Sequence, residues 1–220
     1  MEAIFGFVLN SVEGKQFGSN APTFWALGAA LVTFIQAYGS YGLARRIYAK
    51  RSGEGVSLYM LAYWHASIWT FALYGWYCLS VVMLFNALVL APSYVLAIVG
   101  ILLYERDRLR ILVTILFPLI VLLPAIMLAS DKSLMIFPIL MVGIIFFIDQ
   151  PRKLYMEKKT GSFDPVFTIS LMVASVFWFF FALTSVGDTT LMVVNPPCFA
   201  ISAITLHAYA RAKIHEKKIA

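Results

Sequence analysis

DQPRKLYMEKKTG, residues 149–161, is a charged stretch in a 220-residue chain that is 61% hydrophobic and only 13% charged. RRIYAKRSG, residues 45–53, is its shorter counterpart. Setting RRIY (Arg45 to Tyr48) against RKLY (Arg152 to Tyr155) aligns both clusters. Each then continues through basic residues to a hydroxyl–glycine pair, Ser52-Gly53 and Thr160-Gly161. Two such islands in an apolar chain mark connections between buried elements. The hydrophobic share far exceeds the roughly 45–50% of a soluble domain, so the composition is that of a membrane protein.

Outward from these islands lie seven apolar runs, near 22–46, 56–77, 81–104, 110–129, 133–155, 164–186 and 190–212. Each is about the 20 residues that a helix needs to cross a hydrocarbon core of about 30 Å. Helices are required, because lipid offers an open strand edge no hydrogen-bond partner. The first 21 residues lack the basic start, apolar run and small-residue cleavage site of a signal peptide, so insertion through the chain's own spans is expected. Within them, EAIFGFVLN fits a short helix lying on the outer interface.

Lysine and arginine set the direction. Of the 17 in the chain, Arg45, Arg46, Lys50, Arg51, Arg106, Arg108, Arg110, Arg152, Lys153, Lys158, Lys159, Arg211, Lys213, Lys217 and Lys218 follow spans one, three, five and seven. Only Lys15 and Lys132 fall on the other side. The positive-inside rule then predicts a cytoplasmic carboxyl terminus and an outside amino terminus, in a plasma or inner membrane. The net charge of +6 is accounted for by topology, and no nucleic-acid partner is expected. Cys78 and Cys198 lie too far apart to suggest a disulfide framework or a metal site, and no cofactor is expected.

The two halves share more than their loops. Trp69 and Trp178 are 109 residues apart, as are Asn86 and Asn195, each asparagine falling 17 residues after its tryptophan. The predicted architecture is therefore all-α: two parallel three-helix-bundle repeats, 22–104 and 133–212, joined by a linker helix within 105–132. This 3+1+3 arrangement of seven transmembrane helices is flanked by an amino-terminal segment, 1–21, and a basic tail, 213–220. An odd linker span makes both repeats face the same way.

RRIYAKRSGEGVSLYMLAYWHASIWTFALYG, and RKLYMEKKTGSFDPVFTISLMVASVFWFFFAL with the following DTTLMVVN, resemble the two halves of the SWEET and PQ-loop superfamily of small-solute transporters. The resemblance covers nearly all the chain after residue 22. It implies a central pocket lined by a tryptophan from the second helix and an asparagine from the third helix of each unit, here Trp69, Asn86, Trp178 and Asn195. It also implies proline hinges. Gln150-Pro151 reverses the order of the family's Pro-Gln pair, and Pro165 matches a second proline. The first unit has Gly39, Ser40 and Gly42 at the first of these places and no proline. Pro151 and Pro165 are expected to weaken helical hydrogen bonding on either side of the charged hinge, so that the helices can bend as a gate. SWEET-like proteins can also self-associate, so a homo-oligomer is compatible with the resemblance.

Tryptophan faces stack on sugar or base rings, and an asparagine amide offers a donor and an acceptor to hydroxyl groups. The same residues also serve as interface anchors and interhelical pairs. His65, one turn before Trp69, reads as a pocket residue or as a neutral histidine bonded to a neighbouring helix. Asp149 reads as an acid neutralised by Arg152 and Lys153 at helical spacing, or as a proton relay or inner gate. Gln36 fits packing and substrate contact equally. Ser67 and Thr70 are expected to bond their own helix. Span four, nearly devoid of polar side chains, is expected to face lipid.

The expected function is facilitative, alternating-access transport of a small polar solute, sugar first. The alternatives are a proton-coupled PQ-loop-type transporter of an amino acid, nucleoside or vitamin, and a binding receptor of the KDEL-receptor kind. The partners are then a small molecule and the bilayer. An enzyme is not expected: no acid pair, ligand cluster or activated nucleophile emerges at membrane depth.

Overall fold

The computed structural model of the chain describes residues 2–105 and 108–219. Arg106 lies outside the described residues, as do Met1, Asp107, Ala220 and the side chain of Arg110. The described chain is helical throughout, without strands: α1 (Glu2–Asn10), α2 (Val12–Lys15), α3 (Ala21–Lys50), α4 (Leu58–Tyr77), α5 (Val81–Tyr104), α6 (Arg108–Leu128), α7 (Lys132–Glu157), α8 (Pro165–Phe181) and α9 (Thr189–Ile219). Ala182–Val186 continues α8 as one π-helical turn.

Local chemistry sets the helix starts. Asn20, Ser57, Ser80 and Asp164 cap α3, α4, α5 and α8 by accepting from the Thr23, Met60, Met83 and Val166 N–H groups. Asp188 does the same for α9 through the Leu191 N–H, at 3.1 Å. Such caps satisfy N–H groups that have no acceptor within the helix.

Six helices are long and apolar enough to cross a membrane. Large apolar side chains such as Leu31, Ile120 and Ile145 are exposed on their outer faces, so the chain is a multi-pass membrane protein. α4 has the length, but its tyrosines, tryptophans and His65 lower its mean hydropathy.

Helix α5 packs between α3 and α4, and α9 packs between α7 and α8. The two triples then meet along α3 against α8 and α4 against α7, which closes a ring of six helices. α6 lies outside the ring against α4. The α3–α8 contact is close because glycines line it: a Cβ on Gly39 would come within 2.9 Å of the Phe167 backbone, and one on Gly42 within 2.8 Å of the Asp164 carboxylate. Small residues at such crossings let backbones approach where lipid supplies no hydrophobic drive. At the far end α1 reaches α4, with the Phe7 and Trp76 rings stacked at 5.1 Å.

Candidate functional site

The ring encloses a cavity of about 100 Å³. On α4 its wall is Trp64, Ser67, Ile68 and Phe71, the i, i+3, i+4, i+7 spacing of one helix face. On α8 the wall is Leu171, Ala174, Ser175 and Trp178, with the same spacing and each 107 residues later. Gln36, Asn86 and Asn195 come from α3, α5 and α9, and among the described residues none of α6 takes part. No charged side chain lines the cavity among the described residues. It is an apolar chamber with a few amide, hydroxyl and indole groups, the usual make-up of a small-molecule site.

Those polar groups are only partly satisfied by the protein. Asn86 Nδ2 donates to Thr33 Oγ1 at 2.9 Å and to Gln36 Oε1 at 3.3 Å, which fixes the amide and directs its donors towards α3. Asn195 Nδ2 turns back to the Leu191 carbonyl at 2.6 Å. Trp64 Nε1 and Ser67 Oγ are buried without a hydrogen-bond partner among the described residues. A buried group left unpaired costs about 1–3 kcal/mol, so water or a polar solute in the chamber would stabilise both. Trp178 meets Phe71 edge-on across the chamber, their centroids 5.3 Å apart.

Three of the five residues expected at the pocket, Asn86, Trp178 and Asn195, lie on its wall. Trp69 does not: it is 38% exposed, on the opposite side of α4. His65 is buried with its ring 6.4 Å from that of Trp69, also off the chamber. The reason is register. The spatial counterpart of Trp178 is Phe71, at the offset of 107 already present in the Arg45/Arg152 loop pair. The caps Ser57 and Asp164 keep that offset, whereas Ser80 and Asp188 differ by 108 and the asparagines by 109. One residue is thus gained between Trp178 and Asp188, where the π-helical turn Ala182–Val186 adds a residue to the helix. The 109-residue spacing of the tryptophans is not a spatial correspondence. Trp64 and Ser67 were the residues to find, and the helical spacing back from Phe71 is the signal that could have shown them. Thr70 does bond its own helix, to the Ala66 carbonyl at 3.0 Å, but Ser67 does not.

At the basic end the triples are interlocked. Buried Gln150 accepts from the Ser57 N–H at 2.7 Å and donates to the Gly55 carbonyl at 2.8 Å, so α7 holds the α3–α4 loop. Asp149 accepts from the Ser57 hydroxyl at 2.6 Å, with Arg152 at 3.9 Å, and Lys153 donates to the Val56 carbonyl. Reciprocally, α3 holds the α7–α8 loop: Arg46 pairs with Asp164 at 3.2 Å and donates to the Phe163 carbonyl, and Lys50 donates to the Gly161 carbonyl. The loops also touch each other, the Ser162 N–H donating to the Glu54 carbonyl at 2.7 Å. Gly55 and Gly161, with φ of +79° and +49°, let the backbones pass where any Cβ would collide.

Pro165 corrects the expectation of two weakened helices. It occupies the first turn of α8, where an N–H would have no intrahelical acceptor, so it starts the helix instead of interrupting it. Pro151 does lie inside α7 and removes the bond to the carbonyl of Phe147, a wall residue. Pro92 in α5 and Pro196 and Pro197 in α9, the last two directly after Asn195, are further interruptions near the chamber. Gly39 and Gly42 serve the α3–α8 contact described above.

At the other end the Ser185 hydroxyl of the π-helical turn donates to the Pro22 carbonyl of α3 at 3.0 Å, and a bond joins α4 to the start of α9. Tyr74 donates its hydroxyl proton to Asp188 at 2.6 Å, one turn outward from the wall residues Phe71 and Leu191. Beyond it opens a vestibule of about 570 Å³. Glu13 on α2 accepts from the Val81 N–H at 3.1 Å and anchors the amino-terminal segment to α5.

No protein-family model matches the chain, and no curated protein matches it.

Proposed function

We propose that this protein is a facilitative carrier for a small uncharged polar solute, a monosaccharide before others. In this reading all seven long helices, α4 included, span the membrane as two parallel triple-helix units around α6, with the basic end in the cytoplasm. The observation that carries it is the chamber between the triples, lined from both. A carrier needs such a site to be reached alternately from either side by rocking one unit against the other. A volume of about 100 Å³ is below the roughly 300–1,000 Å³ of ligand pockets, so in this reading the chamber widens to admit solute. Aromatic faces at Trp178 and Phe71 suit the apolar face of a sugar ring, and Asn86, Asn195, Ser67 and Trp64 suit its hydroxyls.

The uncharged wall weighs against a charged solute and against the KDEL-receptor-like reading, which calls for a strongly basic pocket. Proton coupling through Asp149 would act at the basic end, away from the chamber, where Ser57 and Arg152 already engage the carboxylate.

The test is counterflow in proteoliposomes with monosaccharides, nucleosides and neutral amino acids, with and without a pH gradient. Monosaccharide exchange independent of the gradient is expected. Trp178→Ala should slow it about tenfold or more by removing the stacking face, while Trp69→Ala stays near wild type. Exchange by no solute of the panel, or full activity of Trp178→Ala, would overturn the reading.

A further inference from the structure

A second concavity lies at the basic end, outside the ring, between the carboxyl-terminal turns of α7 and α9, with a volume of about 350 Å³. Its floor is apolar and close-packed: Leu154, Ala208 and Ala212 are all buried. Its rim is cationic, with Lys158, Arg211 and Lys218 beside His215 and Tyr155, and no acid lines it among the described residues. The nearby carboxylates are engaged elsewhere, Glu157 with Lys153 at 3.7 Å and Glu216 with the Thr160 N–H at 2.7 Å. None of the three rim cations has an ion-pair partner among the described residues. Like charges held together over an apolar floor repel one another unless an anion joins them.

One turn away from the rim, exposed Arg152 on α7 and exposed His207 on α9, the latter with its ring 6.4 Å from that of Tyr155, extend the polar mouth; beyond them the surface is apolar. Ile204 lies seven residues before Arg211 on α9 and Ile148 seven before Tyr155 on α7, so each shares a helix face with its rim residue. These isoleucines are 49% and 50% exposed. The cleft therefore has a polar, cationic mouth about two turns deep at the ends of the spans, Arg152 and His207 included, and an apolar surface beyond it towards mid-membrane, the two-part shape of a phospholipid.

We propose that the cleft between α7 and α9 binds an anionic phospholipid of the adjacent leaflet, its headgroup phosphate held by Lys158, Arg211 and Lys218 and an acyl chain lying along Ile148 and Ile204. The charge complementarity and the apolar continuation both favour a lipid over a free anion. The inference rests on the membrane embedding of the helices and holds whether or not the central chamber carries a solute.

The test is native mass spectrometry of the full chain released from detergent, titrated with phosphatidylglycerol or with phosphatidylcholine of the same acyl chains. The expected result is a tightly retained single phosphatidylglycerol, unaffected by millimolar inorganic phosphate. Arg211→Gln should weaken it about fivefold, and Lys158→Gln, Arg211→Gln and Lys218→Gln together on the order of a hundredfold, at about 1 kcal/mol per cation. The control combines Arg45→Gln, Arg108→Gln and Lys217→Gln, exposed cations outside the cleft, and should bind as wild type. Equal retention of both lipids, equal losses in the two triple variants, or displacement by inorganic phosphate would each overturn the proposal. If the triple variant fails to fold, Arg211→Gln alone decides the question, an unchanged affinity counting against it.

Discussion

The two triples are tied together by different means on the two sides of the central chamber. At the basic end each triple reaches into the other's loop, with Gln150, Asp149 and Lys153 on one side and Arg46 and Lys50 on the other, and two left-handed glycines let the loops cross. At the opposite end fewer bonds cross between the triples among the described residues: Tyr74 to Asp188, from α4 to α9 beside the vestibule, and the Ser185 hydroxyl to the Pro22 carbonyl, with Gln16 donating to the Ser185 carbonyl. A seal of many mutually supporting bonds must break as a unit, whereas a smaller set, one of them beside a vestibule, exchanges more readily for water contacts. In the proposed carrier, opening on the vestibule side should therefore be the easier step, with the basic end as the firm floor against which it moves.

The largest expected effect is on that floor. Gln150→Leu leaves the Ser57 N–H and the Gly55 carbonyl buried without their partner, at a cost of about 1–3 kcal/mol each. Its thermal midpoint in detergent should fall clearly, and an unchanged midpoint would remove the argument for a firm basic end. Gly161→Ala comes next. Its Cβ would sit 2.1 Å from the Glu54 carbonyl at a φ of +49°, and the loops must part, costing about 1–3 kcal/mol.

Tyr74→Phe should cost only about 1–2 kcal/mol, because the vestibule supplies water to Asp188. The sharper readout is access. In a Cys78→Ser background the wall residue Cys198 should react faster with a membrane-impermeant thiol reagent added from the vestibule side. If labelling accelerates from the basic side instead, the ranking of the two ends is reversed. Smallest is Lys159→Ala. The Glu54 carboxylate at 3.0 Å raises the Lys159 pKa above its ordinary 10.5, so any attraction is complete below that pH and is lost only above it. The group is fully exposed, and the variant should melt as wild type from neutral pH to pH 9, since exposed pairs contribute little.

Much of the helical layout was legible in the chain. The run boundaries fall within four residues of α3 to α8 with its π-helical turn, since hydrocarbon thickness fixes span length, while α9 continues seven residues past its expected end into the basic tail. Asn86, Trp178 and Asn195 were candidate chamber residues through the paired spacing and the resemblance to the SWEET and PQ-loop superfamily, which implies such a pocket. Trp69 was misplaced, and Trp64 and Ser67 were overlooked, because a shared offset in sequence says nothing about where a helix gains a residue. On a helix turning 100° per residue, an error of two positions moves a side chain to the opposite face.

The sequence by itself determined an all-helical chain embedded in a bilayer, with its cations gathered at one end, because apolar length and charge are summed along the chain and need no partner. Which helices are neighbours was decided only in three dimensions. The insertion of α5 between α3 and α4, the reciprocal grip of α3 and α7 on each other's loops, and the choice of Phe71 over Trp69 to face Trp178 all depend on how closely glycine-lined surfaces pack and on helix rotation. Those are properties of pairs of surfaces, and no single stretch of residues contains them.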